Sequence, residues 1–177
     1  MNVPLFNQAV GLDESRTTGP TGGLVFYDKG SYSDGWRYLE AAPSDQSTGI
    51  RWYNVSYTTT GATATAIGTG SANTALIVAN QGVGSYAAQI CNDLTIGSYS
   101  DWFLPSKEEL NQMYVNLHLQ GSGGFTSEWY WSSSEHSSSS LALVQHFGSG
   151  SQSSSLKGDG AGYPEGNDRR VRAVRAF

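Results

Sequence analysis

The chain has few charged residues for its length. Asp, Glu, Lys and Arg make up only 14% of its 177 residues, against about 25% in an average globular domain. From Trp52 to Asn92 there is no charged side chain. The surface must therefore be covered largely by neutral polar groups, which suit neutral polar partners better than long-range electrostatic capture.

Basic residues are scarce, and this argues against a nucleic-acid partner. The formal net charge is -5, whereas a phosphate-binding protein needs a basic stripe. The basic cluster Arg169, Arg170, Arg172 and Arg175 lies in a strand-like tail just after two acidic residues. We therefore expect no nucleic acid among the partners.

Long apolar runs are also missing. The longest, around Ala75 to Ala79, is far shorter than the ~20 residues of a membrane-spanning helix. Met1 to Pro4 provide neither a basic start nor a long apolar stretch. The sequence therefore predicts no membrane insertion and no cleavable signal peptide.

Cys91 is the only cysteine, so the chain can form neither an intramolecular disulfide nor a site built from several cysteines. Tyr86, Ile90 and Leu94 surround it with helical spacing, and we expect it to be a small buried thiol. A chain of this length can bury roughly 70% of its unfolded surface without disulfides.

Three helices are predicted in the middle of the chain. The third has the clearest start, because Ser106 and Glu109 form a capping box. Its apolar stripe is Leu110, Met113, Tyr114 and Leu117. The first is expected to be capped by Ser71 and to carry Ala75, Leu76 and Ala79, and the second to be capped by Ser85.

Strands are predicted on either side of these helices. Residues 1–20 are poorly patterned and are expected to form an N-terminal arm or linker, with residues 21–177 as one domain. Gly30–Gly35 and Gly61–Gly70 are expected to be loops. The predicted strands are Gly22–Tyr27, Trp36–Ala42 (or a short helix, ended by Pro43), Trp129–Trp131, Leu141–Phe147 and Val171–Phe177. This order predicts an α+β fold with an antiparallel sheet, and we expect Trp102, Phe103, Trp131 and Phe177 in its core.

No strong catalytic or metal-binding pattern is present. Ser132 to Ser134 lack a nucleophile elbow, and His118, His136 and His146 lack metal-site spacing. Asp28 to Gly35 resembles a calcium loop only faintly, and we expect a solvated turn there. The carboxylates that could still meet in space are Asp28, Asp34, Asp45, Asp101 and Glu135. We expect the chain to be no enzyme and to need no cofactor or metal.

Half of the residues from Ser132 to Ser155 are serine. Such composition usually marks a flexible linker. Here Leu141, Leu143, Val144 and Phe147 interrupt the serines, and the chain ends on an apolar segment. We therefore expect a folded region with small polar side chains on its surface, a composition that antibody loops use for adaptable contacts. A structured loop without function is the alternative.

Four phrases together resemble a known family. They are Leu39–Pro43, Asp101–Leu110, Tyr130–Glu135 and Arg170–Phe177. Their combination and order are similar to the Lcl C-terminal domain family, a domain of unknown function, over about Gly22 to Phe177. The resemblance implies a C-type-lectin-like fold with two to three helices and long Gly/Ser-rich loops, in which the last strand lies near the first. The related formylglycine-generating enzymes use cysteine chemistry that Cys91 alone does not supply.

The same resemblance implies ligand binding. Many relatives are adhesion or ligand-binding modules on bacterial surfaces, some of which bind sulfated polysaccharides. Others are variable proteins of diversity-generating retroelements in bacteria and viruses. Their varied segment corresponds to His136–Asp168 here, although Gly158–Asp168 is longer than usual. The implied partner is a host or cell-surface protein or glycan, and the implied location is a virion tail or fibre tip, or a bacterial cell surface.

Strand alternation predicts which side chains would make the contact. We expect Leu141, Leu143, Gln145 and Phe147 to face the core, and Ala142, Val144 and His146 to face outward. The predicted ligand-binding residues are His136, Ser138, Ser139, Ser140, Val144, His146, Ser153, Ser155, Asp159 and Tyr163. Two other functions remain open: an enzyme acting on polysaccharide, and a purely structural fibre or surface-layer domain.

Overall fold

Two strands precede the helices and five follow them in a computed structural model that describes residues 17–159 and 169–177. The strands are β1 (Leu24–Ser33), β2 (Trp36–Ala41), β3 (Trp129–Glu135), β4 (Leu141–His146), β5 (Gln152–Leu156), β6 (Arg169–Arg170) and β7 (Val174–Ala176). The helices are α1 (Gly70–Gln81), α2 (Ala87–Asn92) and α3 (Lys107–Asn116), followed by a short 3-10 helix, His118–Gln120. The fold class is α+β, as predicted.

The strands form two sheets. The first has the order β1-β2-β7 and is antiparallel throughout. The second has the order β5-β4-β3-β6, and its β3–β6 pair is parallel. The second sheet is therefore mixed, whereas an antiparallel sheet was predicted.

The C-terminal segment, residues 169–177, belongs to both sheets. Its start pairs with β3 and its end pairs with β2. Between them, the Val171 amide donates to the Ser47 carbonyl at 3.1 Å, and Val174 and Phe103 exchange two backbone hydrogen bonds of 2.9 Å. The predicted single strand Val171–Phe177 is wrong, because the chain must leave one sheet and enter the other within these residues.

The third helix begins as the sequence predicts. The Ser106 side chain accepts a hydrogen bond from the Glu109 amide, and the Glu109 carboxylate accepts one from the Ser106 amide at 2.7 Å. Leu110, Met113 and Leu117 are buried, and Tyr114 is half-buried. Burial raises the pKa of Glu109, while amide donors that include Gly68 oppose that rise.

The starts of the other two helices differ from the prediction. Thr69 holds the N-cap position of α1 and Tyr86 that of α2, instead of Ser71 and Ser85. Helix α1 also turns a different face to the core. Ala75, Leu76 and Ala79 are exposed, while Asn73, Thr74 and Ile77 are buried. The two buried polar residues are satisfied, because Asn73 donates to the Ala64 carbonyl and Thr74 accepts from the Leu104 amide.

The first hairpin is longer than predicted. Strand β1 runs to Ser33, so the loop expected at Gly30–Gly35 shrinks to the two residues Asp34 and Gly35. Both have positive φ, 51° and 85°, as a two-residue hairpin turn of this kind requires. Asp28 is not in a solvated turn: it is buried, and its two bonds from Arg37, of 2.8 and 2.9 Å, lower its pKa.

Two apolar cores hold the elements together. The first core contains Trp52, Ile77, Tyr86, Trp102, Trp131, Val144 and Val171. The second contains Phe26, Leu39, Phe103, Met113, Tyr130, Phe147 and Val174. Trp102, Phe103 and Trp131 are buried as predicted, whereas Phe177 is only half-buried. Cys91 is buried as predicted, and burial raises the pKa of its thiol.

The described part of the predicted N-terminal arm contacts the first strand. The Val25 amide donates to the Thr17 carbonyl at 3.0 Å, and the Gly19 amide donates to the Gly23 carbonyl at 2.8 Å. Residues 1–16 lie outside the described part of the chain. Among the residues that are described, none of the helices has the length and apolarity needed to cross a membrane.

Replacing Trp131 with Ala should lower the free energy of unfolding by about 3–5 kcal/mol, since a large buried side chain is lost. Its indole also donates a 2.8 Å hydrogen bond to the Ile50 carbonyl. Urea unfolding of the variant and the parent measures the difference. Leu76→Ala is the control, because Leu76 is exposed on α1. Equal losses in the two variants would contradict this core.

Candidate ligand-binding surface

The β4–β5 hairpin has two chemically different faces. Strand pairing places Leu141 opposite Leu156 and Leu143 opposite Ser154. It places Ala142 opposite Ser155 and Val144 opposite Ser153. Because successive side chains of a strand point to opposite faces, the leucine pairs lie on one face and the Ala142 and Val144 pairs on the other.

The face that carries Val144 is the inner one. Ala142 is 0% exposed and Val144 3%, and both pack in the first core with Trp131. The prediction that Val144 faces a ligand is therefore wrong. Trp131 lies directly opposite Val144 on β3. Because Trp131 is buried in the first core, the face that carries Val144 is the buried one.

The face that carries Leu141 and Leu143 is the outer one, at least in part. Both leucines are half-buried, Ser154 is exposed and Leu156 is 48% exposed. The prediction that both leucines are core residues is thus wrong, whereas Phe147 and Gln145 are buried as expected. We call the exposed part of this face, Leu141, Leu143, Ser154 and Leu156, the hairpin surface.

Helix α3 borders the hairpin surface on one side. The Gln145 amide donates to the Asn111 side-chain oxygen at 2.9 Å, so α3 covers the far end of β4. The Gln152 amide reaches the Lys107 carbonyl at 3.4 Å. At the other end of the hairpin, near the β3–β4 turn, Leu156 remains exposed.

The β3–β4 turn extends the hairpin surface with polar groups. Ser138 is exposed, while His136, Ser139 and Ser140 are half-buried. The turn is ordered by its own side chains: His136 Nδ1 accepts from the Ser138 amide at 3.0 Å, and the Ser138 and Ser140 hydroxyls lie 3.1 Å apart. The structure thus brings four predicted residues together next to Leu141.

His146, Ser153 and Ser155 lie on the inner side of the hairpin, and Asp159 follows its second strand. Ser155 is buried, and its hydroxyl accepts from Arg169 Nε at 3.0 Å and donates to Asp159 at 2.8 Å. Ser153 is exposed, and the half-buried His146 ring lies 5.0 Å from that of Trp129. Ser155 and Asp159 therefore serve an internal network. Tyr163 lies outside the described residues.

A buried ion pair fixes the base of this region. Lys157 Nζ lies 2.5 Å from Glu135 Oε1, and both side chains are 0% exposed. The Glu135 carboxylate also accepts from the Thr60 and Gly61 amides at 2.9 to 3.0 Å. Lys157 donates to the Thr58 carbonyl and lies 4.5 Å from the centre of the Trp52 ring. The pair ties the end of β3 to the residue after β5.

The serines of β3 belong to the interior. Ser132, Ser133 and Ser134 are buried. The Ser132 hydroxyl donates to the Leu143 carbonyl at 2.8 Å, and that of Ser134 donates to the Ala64 carbonyl at 2.7 Å. The first serines of the serine-rich segment are thus structural, and the display of small polar groups begins after Glu135.

The carboxylates considered above for catalysis form ion pairs with Lys or Arg. The arginines considered for phosphate binding form ion pairs with Asp or Glu. Asp28 pairs with Arg37, and Asp45 accepts from Arg170 and Arg172. The tail arginines lie against acidic partners, so they form a set of internal ties and not a basic stripe. Within residues 17–159 and 169–177, no group of three or more His, Cys, Asp or Glu is placed to hold a metal ion.

Two comparisons with known proteins found no match. No protein-family model matches the chain, and no curated protein matches it. The family resemblance therefore rests on the four sequence phrases.

Glu135→Gln should cost about 3–5 kcal/mol in unfolding free energy, because it leaves the buried Lys157 ammonium without its counter-charge. Lys157→Met should also destabilise. The double variant should lose clearly less than the two single losses added together, since neither charge remains buried alone. Chemical denaturation of all four proteins measures this coupling. If the losses in unfolding free energy were additive, Glu135 and Lys157 would not stabilise each other as described.

Proposed function

We propose that the chain is a ligand-recognition module of C-type-lectin-like architecture, related to the Lcl C-terminal domain family, that binds a protein on a cell surface. The observation that carries the proposal is the two-faced β4–β5 hairpin. Its inner face is fixed in the first core, while its outer face exposes leucine and serine side chains.

The arrangement of the first and last strands supports the proposed architecture. The resemblance implies that the last strand lies near the first, and β7 is separated from β1 only by β2. The second sheet carries the hairpin, and the C-terminal segment joins it to the first sheet. A scaffold tied in this way can hold a binding surface in one geometry, which limits the entropy lost on binding.

The chemistry of the hairpin surface favours a protein partner over a glycan. Exposed aliphatic side chains next to small polar ones are typical of protein-interaction sites. Leu143 and Leu156 offer no hydrogen bonds to sugar hydroxyls and no aromatic ring for a sugar to pack against. Nearby, Lys107 and Glu108 lie 3.3 Å apart as an ion pair, so there is little net charge to attract a charged ligand from a distance.

The implied diversification fits the same geometry. Side chains at Ser138, Leu141, Leu143, Ser154 and Leu156 lie outside both core sets, so substitutions there need not disturb packing. We expect variants of the same locus to differ mainly at these codons, beside a reverse-transcriptase gene and a template repeat that differs at adenines. Differences concentrated at Ala142, Val144 and Gln145 would contradict this.

Ser154→Arg should weaken cell binding at least tenfold, because it places a large charged side chain in the middle of the hairpin surface. Ser153→Arg is the matched control. Both serines are exposed on β5, but they point to opposite faces. The readout is binding of the labelled protein to a panel of intact bacterial and eukaryotic cells, with melting temperature measured for each variant.

Treatment of the cells identifies the partner class. Trypsin treatment should abolish binding, and periodate oxidation of glycans should leave it intact. Equal binding by the Ser154→Arg and Ser153→Arg variants would refute the surface. Loss of binding with periodate alone would refute a protein partner.

A further inference from the structure

A cleft of about 450 Å³ lies beside the first sheet. It is formed by the β1–β2 turn, the start of α1 and the end of β7. Its lining includes the aromatic residues Trp36 and Phe103, the acidic residues Asp34 and Asp101, and Ser71 and Ala75. Among the described residues that line it, none belongs to the hairpin surface. Its volume lies in the range of about 300–1,000 Å³ typical of small-molecule sites.

Small residues keep the cleft open. Gly68 has a φ of +89°, and a Cβ there would lie 3.1 Å from Trp36 Cζ2, so only glycine lets the chain pass this close to the indole without strain. Ala72 and Ala75, on the exposed side of α1, also line the cleft. Their short side chains leave room above the aromatic wall.

Each carboxylate in the cleft has a cation beside it. Arg175 Nε lies 2.5 Å from Asp101 Oδ1, and the same guanidinium donates to Glu40 at 3.2 Å. The Asp101 side chain nevertheless remains 56% exposed. Asp34 is 87% exposed and lies 3.7 Å from Lys29, whose ammonium is 4.0 Å from the centre of the Trp36 ring.

This balance of charge defines the kind of ligand. The cleft has two acidic residues, of which Asp101 is fixed by Arg175, together with an aromatic wall and little net charge. Phosphate or sulfate would meet two carboxylates, and a metal ion would compete with two resident cations. A neutral molecule with several hydroxyl donors and one apolar face meets neither obstacle, and hydroxyls bind carboxylates strongly.

We propose that this cleft binds a neutral pyranose ring, as a free sugar or as the terminal residue of a glycan. The apolar face of the ring packs against Trp36, and its hydroxyls donate to Asp34 and Asp101. Cleavage is not part of the assignment, because neither acidic residue lies in an apolar pocket or beside a second carboxylate of the kind that suits a catalytic carboxylic acid. Asp101 is held by a guanidinium, and Asp34 lies in water.

The test is a nitrogen-15 NMR titration with glucose, galactose, mannose and N-acetylglucosamine at millimolar concentrations. At least one sugar should shift the Trp36 indole signal and the Ser71 and Ala72 amides with saturation. Ala75→Leu should abolish these shifts by filling the cleft. Ala79→Leu is the matched control, because it makes the same exposed change one turn further along α1, outside the described lining residues. It should bind as the parent does.

Asp34→Asn gives a second, milder variant. Asn tolerates the positive φ at this position, so the turn persists while the charge is lost, and affinity should fall about tenfold. The proposal is overturned if no lining residue shifts with any of the four sugars, or if Ala75→Leu binds them like the parent.

The source of the sugar is tested with an oligosaccharide that ends in the best monosaccharide. Tighter binding of the oligosaccharide identifies a glycan end, and equal or weaker binding identifies the free sugar. Ala75→Leu should leave trypsin-sensitive cell binding unchanged, so this proposal and the proposed function fail independently.

Discussion

The fold depends on the C-terminal segment, which completes both sheets. Its first two residues pair with β3, and its last strand pairs with β2. At the crossing, the buried Arg172 donates to Asp45 at 2.7 Å and to the carbonyls of Ala42 and Gly123. A buried guanidinium must satisfy its donors within the protein, so this crossing fixes how the two sheets meet.

The low charge content of the chain can be related to the places where its charged residues lie. Several of its charges lie inside, where they join elements distant in sequence. Glu135 and Lys157 close the base of the hairpin, and Arg175 connects β7 to Glu40 and Asp101. The outer face of the hairpin then carries serine and leucine. The chain has few charged residues, and several of them form ion pairs in the interior. The outer face of the hairpin is therefore neutral.

Local signals in the sequence predicted part of the local structure, whereas the expected caps at Ser71 and Ser85 and the expected loop at Gly30–Gly35 were wrong. The capping box at Ser106 and the strand at Trp36 are there, and the Asp34–Gly35 dipeptide was a hairpin signal in plain view. The facing of β4 could not be predicted, because both of its faces carry apolar residues. Val144 points inward and packs in the first core with Trp131, which lies opposite it on another strand. No local pattern in the sequence indicates that Glu135 and Lys157 form an ion pair.

The central claim is that one face of the hairpin is scaffold and the other is display. A library that varies each residue from 136 to 156, sorted only for protease resistance, tests it without any ligand. The account predicts wide tolerance at Leu141, Leu143 and Ser154, and strong restriction at Ala142 and Val144. Equal restriction on both faces, or tolerance at Val144 with restriction at Leu143, would contradict it.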